Sequence, residues 1–143
     1  MRRPRLMPGD IVEVSISAGK KGYVRVLRRD KFGLLLQLLG RKPVSTSRSM
    51  VLAYVNEHSI RKDWSVVQKE PIGSEGLNIP PFFFGSSVSG WTIDTEEGRT
   101  IIPAEKISFE ELKRKGYVHK VLWLAKDIAE YFDGKPLVWP TSL

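Results

Sequence analysis

The chain of 143 residues contains no cysteine. This absence excludes disulfide bonds, thiolate zinc sites and a cysteine nucleophile, and it suits a protein that stays in a reducing cytosol. Histidine is nearly absent as well, because His58 and His119 are the only two. Neither histidine has the sequence spacing of a metal-binding motif. We therefore expect no metal site.

Long apolar runs are also missing. The longest, over residues 34–39, is far shorter than the ~18 residues that a membrane span requires, and it is typical of a buried strand. Residues 1–8 are basic but lack the apolar stretch of a signal peptide. The sequence thus predicts a cytoplasmic protein with no contact to a membrane.

The motifs of common catalytic sites are absent too. No Gly-x-Ser-x-Gly elbow and no phosphate-binding glycine loop occur. The paired acids at residues 96–97 and 110–111 fall in a predicted turn and a predicted first helical turn, where acids have structural roles. We predict a protein that is not an enzyme and needs no cofactor. One enzymatic alternative stays open, a cleft that gathers Glu57, His58 and Asp63.

The charge is strongly positive and unevenly spread. The formal net charge is +7. Residues 1–63 carry 14 Lys and Arg against 5 Asp and Glu, whereas residues 64–143 carry 9 against 11. Such an asymmetry predicts a basic face that attracts an acidic partner, either a nucleic acid or a protein.

Hydrophobic periodicity predicts a mostly β chain that ends in helices. Alternation over residues 11–16, a glycine-bearing turn into residues 23–28 and the apolar run over residues 34–39 together predict a meander of three strands. Further strands are predicted over residues 50–55, 63–67, 89–94 and 99–102, the last two forming a hairpin.

The last third of the chain changes to a helical period. Ser108 and Glu111 form a capping box at the start of a short helix, and Gly116 ends that helix. A second helix is predicted over about residues 117–132. The fold class is therefore α+β, a curled antiparallel β-sheet or small partly open barrel with one or two C-terminal helices. One domain is expected over residues 1–143, with a core of about 7–134 and a flexible basic N-terminus, 1–6.

Two clusters of side chains are candidates for a binding surface. An aromatic cluster, which forms either core or an exposed protein-binding surface, comprises Trp64, Phe82, Phe83, Phe84 and Trp91. A mixed cluster on adjoining strands comprises Tyr23, Arg25, Arg28, Arg29, Lys31 and Phe32. Basic and aromatic residues together are typical of small nucleic-acid-binding barrels, although the pattern favours a purely structural role, in which Tyr23, Arg25 and Leu27 form one face of a strand and Val24 and Val26 fill the core.

Five short motifs resemble bacterial immunity protein family 26. They are residues 8–14, 22–27, 63–67, 89–93 and 107–111, which run Pro-Gly-Asp-Ile-Val-Glu-Val, Gly-Tyr-Val-Arg-Val-Leu, Asp-Trp-Ser-Val-Val, Ser-Gly-Trp-Thr-Ile and Ile-Ser-Phe-Glu-Glu. Ser65 departs from the family, which usually has proline there. The resemblance spans roughly residues 7–132.

The resemblance implies an immunity protein of a polymorphic-toxin or contact-dependent-inhibition system. Such a protein blocks a cognate toxin domain by stoichiometric binding in the cytoplasm of the producing cell. The basic charge departs from immunity proteins that mimic nucleic acid. It matches an acidic toxin surface, or else the acidic C-terminal half of the chain is the contact surface. The partner-binding residues predicted on this hypothesis are Trp64, Phe82, Phe83, Trp91, Arg28, Arg29 and Lys31. The alternative function is a small basic β-barrel that binds nucleic acid.

Overall fold

A computed structural model describes residues 5–43, 51–61, 63–71, 80–86, 88–95, 97–135 and 137. In chain order its strands are β1 (Asp10–Ser15), β2 (Lys21–Arg29), β3 (Leu34–Gly40), β4 (Leu52–Val55), β5 (Trp64–Lys69), β6 (Phe82–Ser86), β7 (Gly90–Thr95), β8 (Gly98–Ile102), β9 (Val118–His119) and β10 (Leu122–Trp123). Its helices are α1 (Phe109–Arg114) and α2 (Ala125–Phe132). The α+β class predicted from the sequence is therefore present.

The chain divides into two compact units. The larger unit comprises residues 1–75 and 122–143, and the smaller comprises residues 76–121. The larger unit holds a six-stranded sheet of order β10-β4-β3-β2-β1-β5 together with α2. The smaller unit holds a four-stranded sheet of order β8-β7-β6-β9 together with α1. Neither sheet closes into a barrel within the described residues, because each has two different end strands.

The predicted meander is confirmed in the larger unit. β1 pairs antiparallel with β2, β2 with β3, and β3 with β4. The alternation of apolar side chains along these strands fills one core on one face of the sheet, and α2 covers this face. Leu6, ahead of β1, also packs in this core and is only 1% exposed. Leu6 lies one residue before the predicted start of the core.

Phe132 closes this core at the end of α2. It lies against Gly22 of β2, where a Cβ atom built on the glycine would come within 2.3 Å of the Phe132 ring. Only a glycine leaves room for this contact. The absence of a side chain at residue 22 therefore sets how closely the helix approaches the sheet.

The smaller unit begins with the aromatic strand β6. Phe83 packs with Trp91, Ile93 and Leu112 in a second core. The hairpin predicted over residues 89–94 and 99–102 is confirmed as β7 and β8. The predicted cap at Ser108 is confirmed, because its hydroxyl accepts a hydrogen bond from the Glu111 backbone N–H at 3.2 Å. The Glu111 carboxylate accepts a hydrogen bond from the same hydroxyl at 3.2 Å, whereas a full capping box would place it on the Ser108 backbone N–H.

The prediction of one helix over residues 117–132 is wrong in its first half. Val118–His119 form β9, which pairs with β6, and Leu122–Trp123 form β10, which pairs with β4. Both pairings are parallel and involve only two residues. Valine and aromatic residues fit a strand as well as a helix, and the pairing with existing strands decides between them. The helix starts only at Ala125.

Neither described helix is long and apolar enough to cross a membrane.

Candidate functional site

An open groove of about 850 Å³ lies in the larger unit. Its walls come from the end of β1, from the segment that joins β4 to β5, and from the first turns of α2. The lining residues are Ser15, His58, Ser59, Ile60, Arg61, Asp63, Trp64, Leu124, Ala125, Lys126 and Ala129.

Ser59 holds two walls of the groove together. A short 3-10 turn over Glu57–Ser59 is capped by the Asn56 side chain, which accepts a hydrogen bond from the His58 backbone N–H at 2.9 Å. The Ser59 hydroxyl donates to the Asn56 carbonyl at 2.6 Å and accepts from the Ala125 N–H at 2.8 Å. The start of α2 is thereby fixed beside the 3-10 turn, so the two walls keep a defined separation.

The inner surface of the groove is apolar. Ile60, Trp64 and Ala125 are each 5% exposed or less and belong to the core beneath the groove. Leu124 remains 40% exposed at the edge of the groove. A buried apolar base with an exposed leucine beside it can accept an apolar side chain of a partner.

Four ionisable side chains surround this base, namely His58, Arg61, Asp63 and Lys126. All four residues are exposed. None of the four side chains forms a hydrogen bond or an ion pair with another residue in the described part of the chain. Two permanent cations, one histidine and one carboxylate therefore face solvent around an apolar base, and this arrangement favours an acidic ligand.

The arginines predicted as binding residues on β2 also make contacts within the fold. The Arg28 guanidinium donates to the Tyr54 hydroxyl at 2.6 and 3.1 Å and contacts the Asp30 carboxylate at 3.3 Å. The Tyr54 hydroxyl in turn donates to Asp30 at 2.7 Å. Burial, together with the Asp30 carboxylate, raises the pKa of Tyr54 to about 12.

Asp30 also shapes the turn between β2 and β3. Its carboxylate accepts hydrogen bonds from the backbone N–H groups of Phe32 at 2.8 Å and Gly33 at 3.2 Å. Burial acts to raise the pKa of Asp30, but the hydrogen bonds from Tyr54 and these two N–H groups, with the charge of Arg28, outweigh it. The pKa of Asp30 is therefore lowered, which favours the charged carboxylate that accepts the two backbone N–H groups of the turn.

Arg25 and Arg29 are likewise bound within the fold. Arg25 is 6% exposed and donates to the backbone carbonyls of Glu70 and Pro71. Arg29 donates to the Leu6 carbonyl at 2.6 Å and pairs with Glu57 at 2.9 Å. Of the basic residues on and just after β2 that were singled out, only Lys31 is exposed without a partner among the described residues.

The predicted aromatic anchors are core residues. Trp64, Phe82, Phe83 and Trp91 are 3%, 3%, 0% and 4% exposed. Phe83 contacts Trp91 edge-on at a centroid distance of 5.8 Å, and it stacks on His119 at 5.1 Å. Both faces of β6 are covered at residues 82–83, so these two rings are not on the surface. Of the four, Trp64 alone lines the groove.

The enzymatic alternative is realised only in part. His58 and Asp63 both line the groove, whereas Glu57 is absent from its lining and pairs with Arg29. Among the residues that the structure describes, no group of three His, Asp or Glu side chains could hold a metal ion. The absence of catalysis stays a prediction.

Arg61 and Lys126 line the groove but are not predicted as site residues from the sequence. The groove is assembled from three separate segments, so no local pattern marks it. The sequence held no signal at Lys126, because the helix predicted over residues 117–132 places this lysine in the helix interior, and only the structure shows that it lies in the first turn of α2. A cation there opposes the helix dipole, and an unfavourable charge of this kind indicates a role other than helix stability.

Comparisons with known proteins give little beyond this geometry. No family model matches the chain, and no solved structure matches it. An uncharacterised 11.2 kDa protein in the crtE 3′ region of Pseudescherichia vulneris is 42% identical over 33 residues, which are 23% of this chain and 32% of that protein. The chain thus spans about a third of the length of the curated relative that it matches.

Proposed function

We propose that this protein is an immunity protein that neutralises a cognate bacterial toxin by direct stoichiometric binding in the cytoplasm, and that the groove is its contact surface. The observation that carries the proposal is an apolar base surrounded by four ionisable side chains that have no partner among the described residues. Interfaces of this composition use an apolar anchor for affinity and charged surroundings for orientation.

The charges of the groove favour an acidic partner. Arg61 and Lys126 outnumber Asp63, and the whole chain carries +7. Long-range attraction would therefore steer an acidic toxin surface towards the protein, and Arg61 and Lys126 of the groove would meet its carboxylates. An apolar side chain of the toxin would enter the base between Ile60 and Leu124.

The resemblance to immunity protein family 26 supports the same function. Its five motifs coincide with β1, β2, the start of β5, the start of β7 and the start of α1. These positions build the two sheets and their connections, so the motifs specify the fold. Most residues that line the groove lie outside the motifs. Asp63 and Trp64 are the exceptions, because they belong to a motif and also line the groove.

We also infer that the larger sheet is curled, as the sequence predicts. The pairing of β2 with β3 skips Leu27, and the pairing of β1 with β5 skips Val67. Bulges of this kind bend a strand and increase the local twist. A curled sheet would wrap the core on which α2 lies.

The test uses the toxin that the hypothesis requires, the variable C-terminal domain of a large secreted protein encoded immediately upstream. We expect the chain to form a one-to-one complex with this domain and to restore growth of cells that express it. Failure of the purified chain to bind or protect against such a domain would refute the function.

A pair of charge-reversal variants tests the groove separately. Arg61→Glu with Lys126→Glu should weaken toxin binding by about 10- to 100-fold, since each reversal turns an attraction into a repulsion. Lys106→Glu with Lys115→Glu is the matched control, because both lysines are exposed in the smaller unit without a described partner. If both double variants bind the toxin equally well, the contact surface is not the groove.

A further inference from the structure

The two sheets differ in how their edges are protected. Each sheet ends on one side in a two-residue strand, β10 or β9, which is too short to accept another strand. On their other sides they end in β5 and β8. The pairing of β5 with β1 skips Val67, so this edge is interrupted by a bulge. β8 instead pairs with β7 residue for residue over all five positions. In the described part of the chain, β8 is the one long and regular open edge.

β8 is also exposed along nearly its whole length. Residues 98–101 are all exposed, and Ile101 is 74% exposed. Thr95 and Gly98 are paired across a two-residue turn, and in such a hairpin the backbone groups of this closing pair bond to each other. Along an antiparallel pair of strands, every second pair is hydrogen-bonded, so the pairs formed by Arg99 and by Ile101 with β7 are the non-bonded ones. The backbone N–H and C=O groups of Arg99 and Ile101 consequently point away from β7. No described backbone group outside β7 pairs with them.

The strand is complementary to itself. In an antiparallel arrangement centred on Thr100, Arg99 of each copy lies opposite Ile101 of the other, and the outward backbone groups of both residues meet. No like charges face each other in this register. The Arg99 guanidinium is held by Asp94 at 3.3 Å, which leaves the aliphatic stem of the arginine to cover the isoleucine of the second copy.

We propose that β8 is a self-association edge, through which two copies of this chain pair antiparallel and join their four-stranded sheets into one. The pairing covers Ile101 in both copies and satisfies the outward backbone groups. Pro103 follows the strand directly and lacks an N–H, so it limits the pairing to these five residues. A dimer with so short a seam is reversible and depends on concentration.

The test is sedimentation velocity of the full chain over a range of about 1–500 μM, a range that covers weak dimers. The wild type should shift from monomer to dimer as its concentration rises. Ile101→Lys should weaken the dimer by about tenfold or more, because it places two lysines at the seam. Val67→Lys on the bulged edge is the matched control and should sediment like the wild type. Circular dichroism confirms that each variant is folded.

Hydrogen exchange gives a second measurement that needs no variant. The amides of Arg99 and Ile101 should become more protected at high protein concentration, while those of Val66 and Gln68 on β5 should not change. A wild type that stays monomeric throughout the range would overturn the proposal. So would a dimer that Ile101→Lys leaves intact, because the two copies would then meet elsewhere.

Discussion

The contact between Gly22 and Phe132 predicts that the smallest possible enlargement of residue 22 loosens α2. A Cβ at this position would lie 2.3, 2.5 and 2.8 Å from three atoms of the Phe132 ring. Carbon atoms in contact are about 3.5–4.0 Å apart, so the overlap exceeds 1 Å by this rough measure. Phe132 is 8% exposed and packs in the main core, so the ring cannot turn into solvent. The helix or the strand must move.

The expected cost follows from two opposing effects. Overpacking of a core costs about 1–3 kcal/mol, whereas replacing a glycine reduces the freedom of the unfolded chain and returns about 0.4–1 kcal/mol. Gly22→Ala should therefore lower the free energy of unfolding by about 1–2 kcal/mol. For a chain of this size the melting temperature should fall by roughly 3–8 °C. Urea and thermal unfolding followed by circular dichroism measure both quantities.

A double-mutant cycle with Phe132→Leu is the control. Leucine leaves room for the new methyl group, so Gly22→Ala should cost about 1 kcal/mol less in the Phe132→Leu background than in the wild type. Because α2 forms one wall of the groove, Gly22→Ala should also weaken toxin binding, and adding Phe132→Leu should partly restore it. Costs that simply add, or a Gly22→Ala variant as stable as the wild type, would refute the reasoning.

Two further predictions concern a buried tyrosine, Tyr54, and a half-buried histidine, His119. Tyr54→Phe removes the hydroxyl that binds both Arg28 and Asp30. It should lower the free energy of unfolding in urea by about 1–2 kcal/mol and no more, because both charged partners are partly exposed and regain water. An unchanged unfolding midpoint would contradict this. Burial, and then the charge of Lys113, lowers the pKa of His119 from 6.5 to about 4, so the unfolded chain binds a proton in this window and the folded chain does not. Stability should fall as the pH drops from 6.5 to 4 and His119→Phe should remove this dependence, whereas an NMR titration of His119 with a midpoint near 6.5 would show the prediction to be wrong.

The sequence was most informative where a local pattern and the tertiary fold agree. β1 and β2 largely alternate apolar and polar residues, β3 is a short apolar run, and glycines mark the turns between them, so all three strands could be placed to within a few residues. The cap at Ser108 needs only its own hydroxyl and a backbone N–H three residues away. Features of this kind depend on a few consecutive residues and not on the rest of the chain.

The residues before α2 show why other features could not be predicted. Val118, Val121 and Leu122 continue the spacing of the apolar residues in α2, so periodicity alone extends the helix back to residue 117. The structure instead pairs residues 118–119 with β6 and residues 122–123 with β4. Those partners lie far away in sequence, and only the folded chain brings them to this segment. The groove could not be predicted for the same reason, because its lining residues come from three segments that lie far apart in sequence.

The distribution of bound and free cations changes the meaning of the charge count. The sequence places the excess of positive charge in residues 1–63, and a basic track along β2 would suit nucleic acid. Arg25, Arg28 and Arg29 are nevertheless held by carbonyls, a tyrosine and carboxylates of the same chain. A phosphate would have to compete with these contacts for each guanidinium. The groove cations have no such competitor among the described residues, so an acidic ligand gains more by binding there. This difference favours a localised protein contact over a continuous nucleic-acid track.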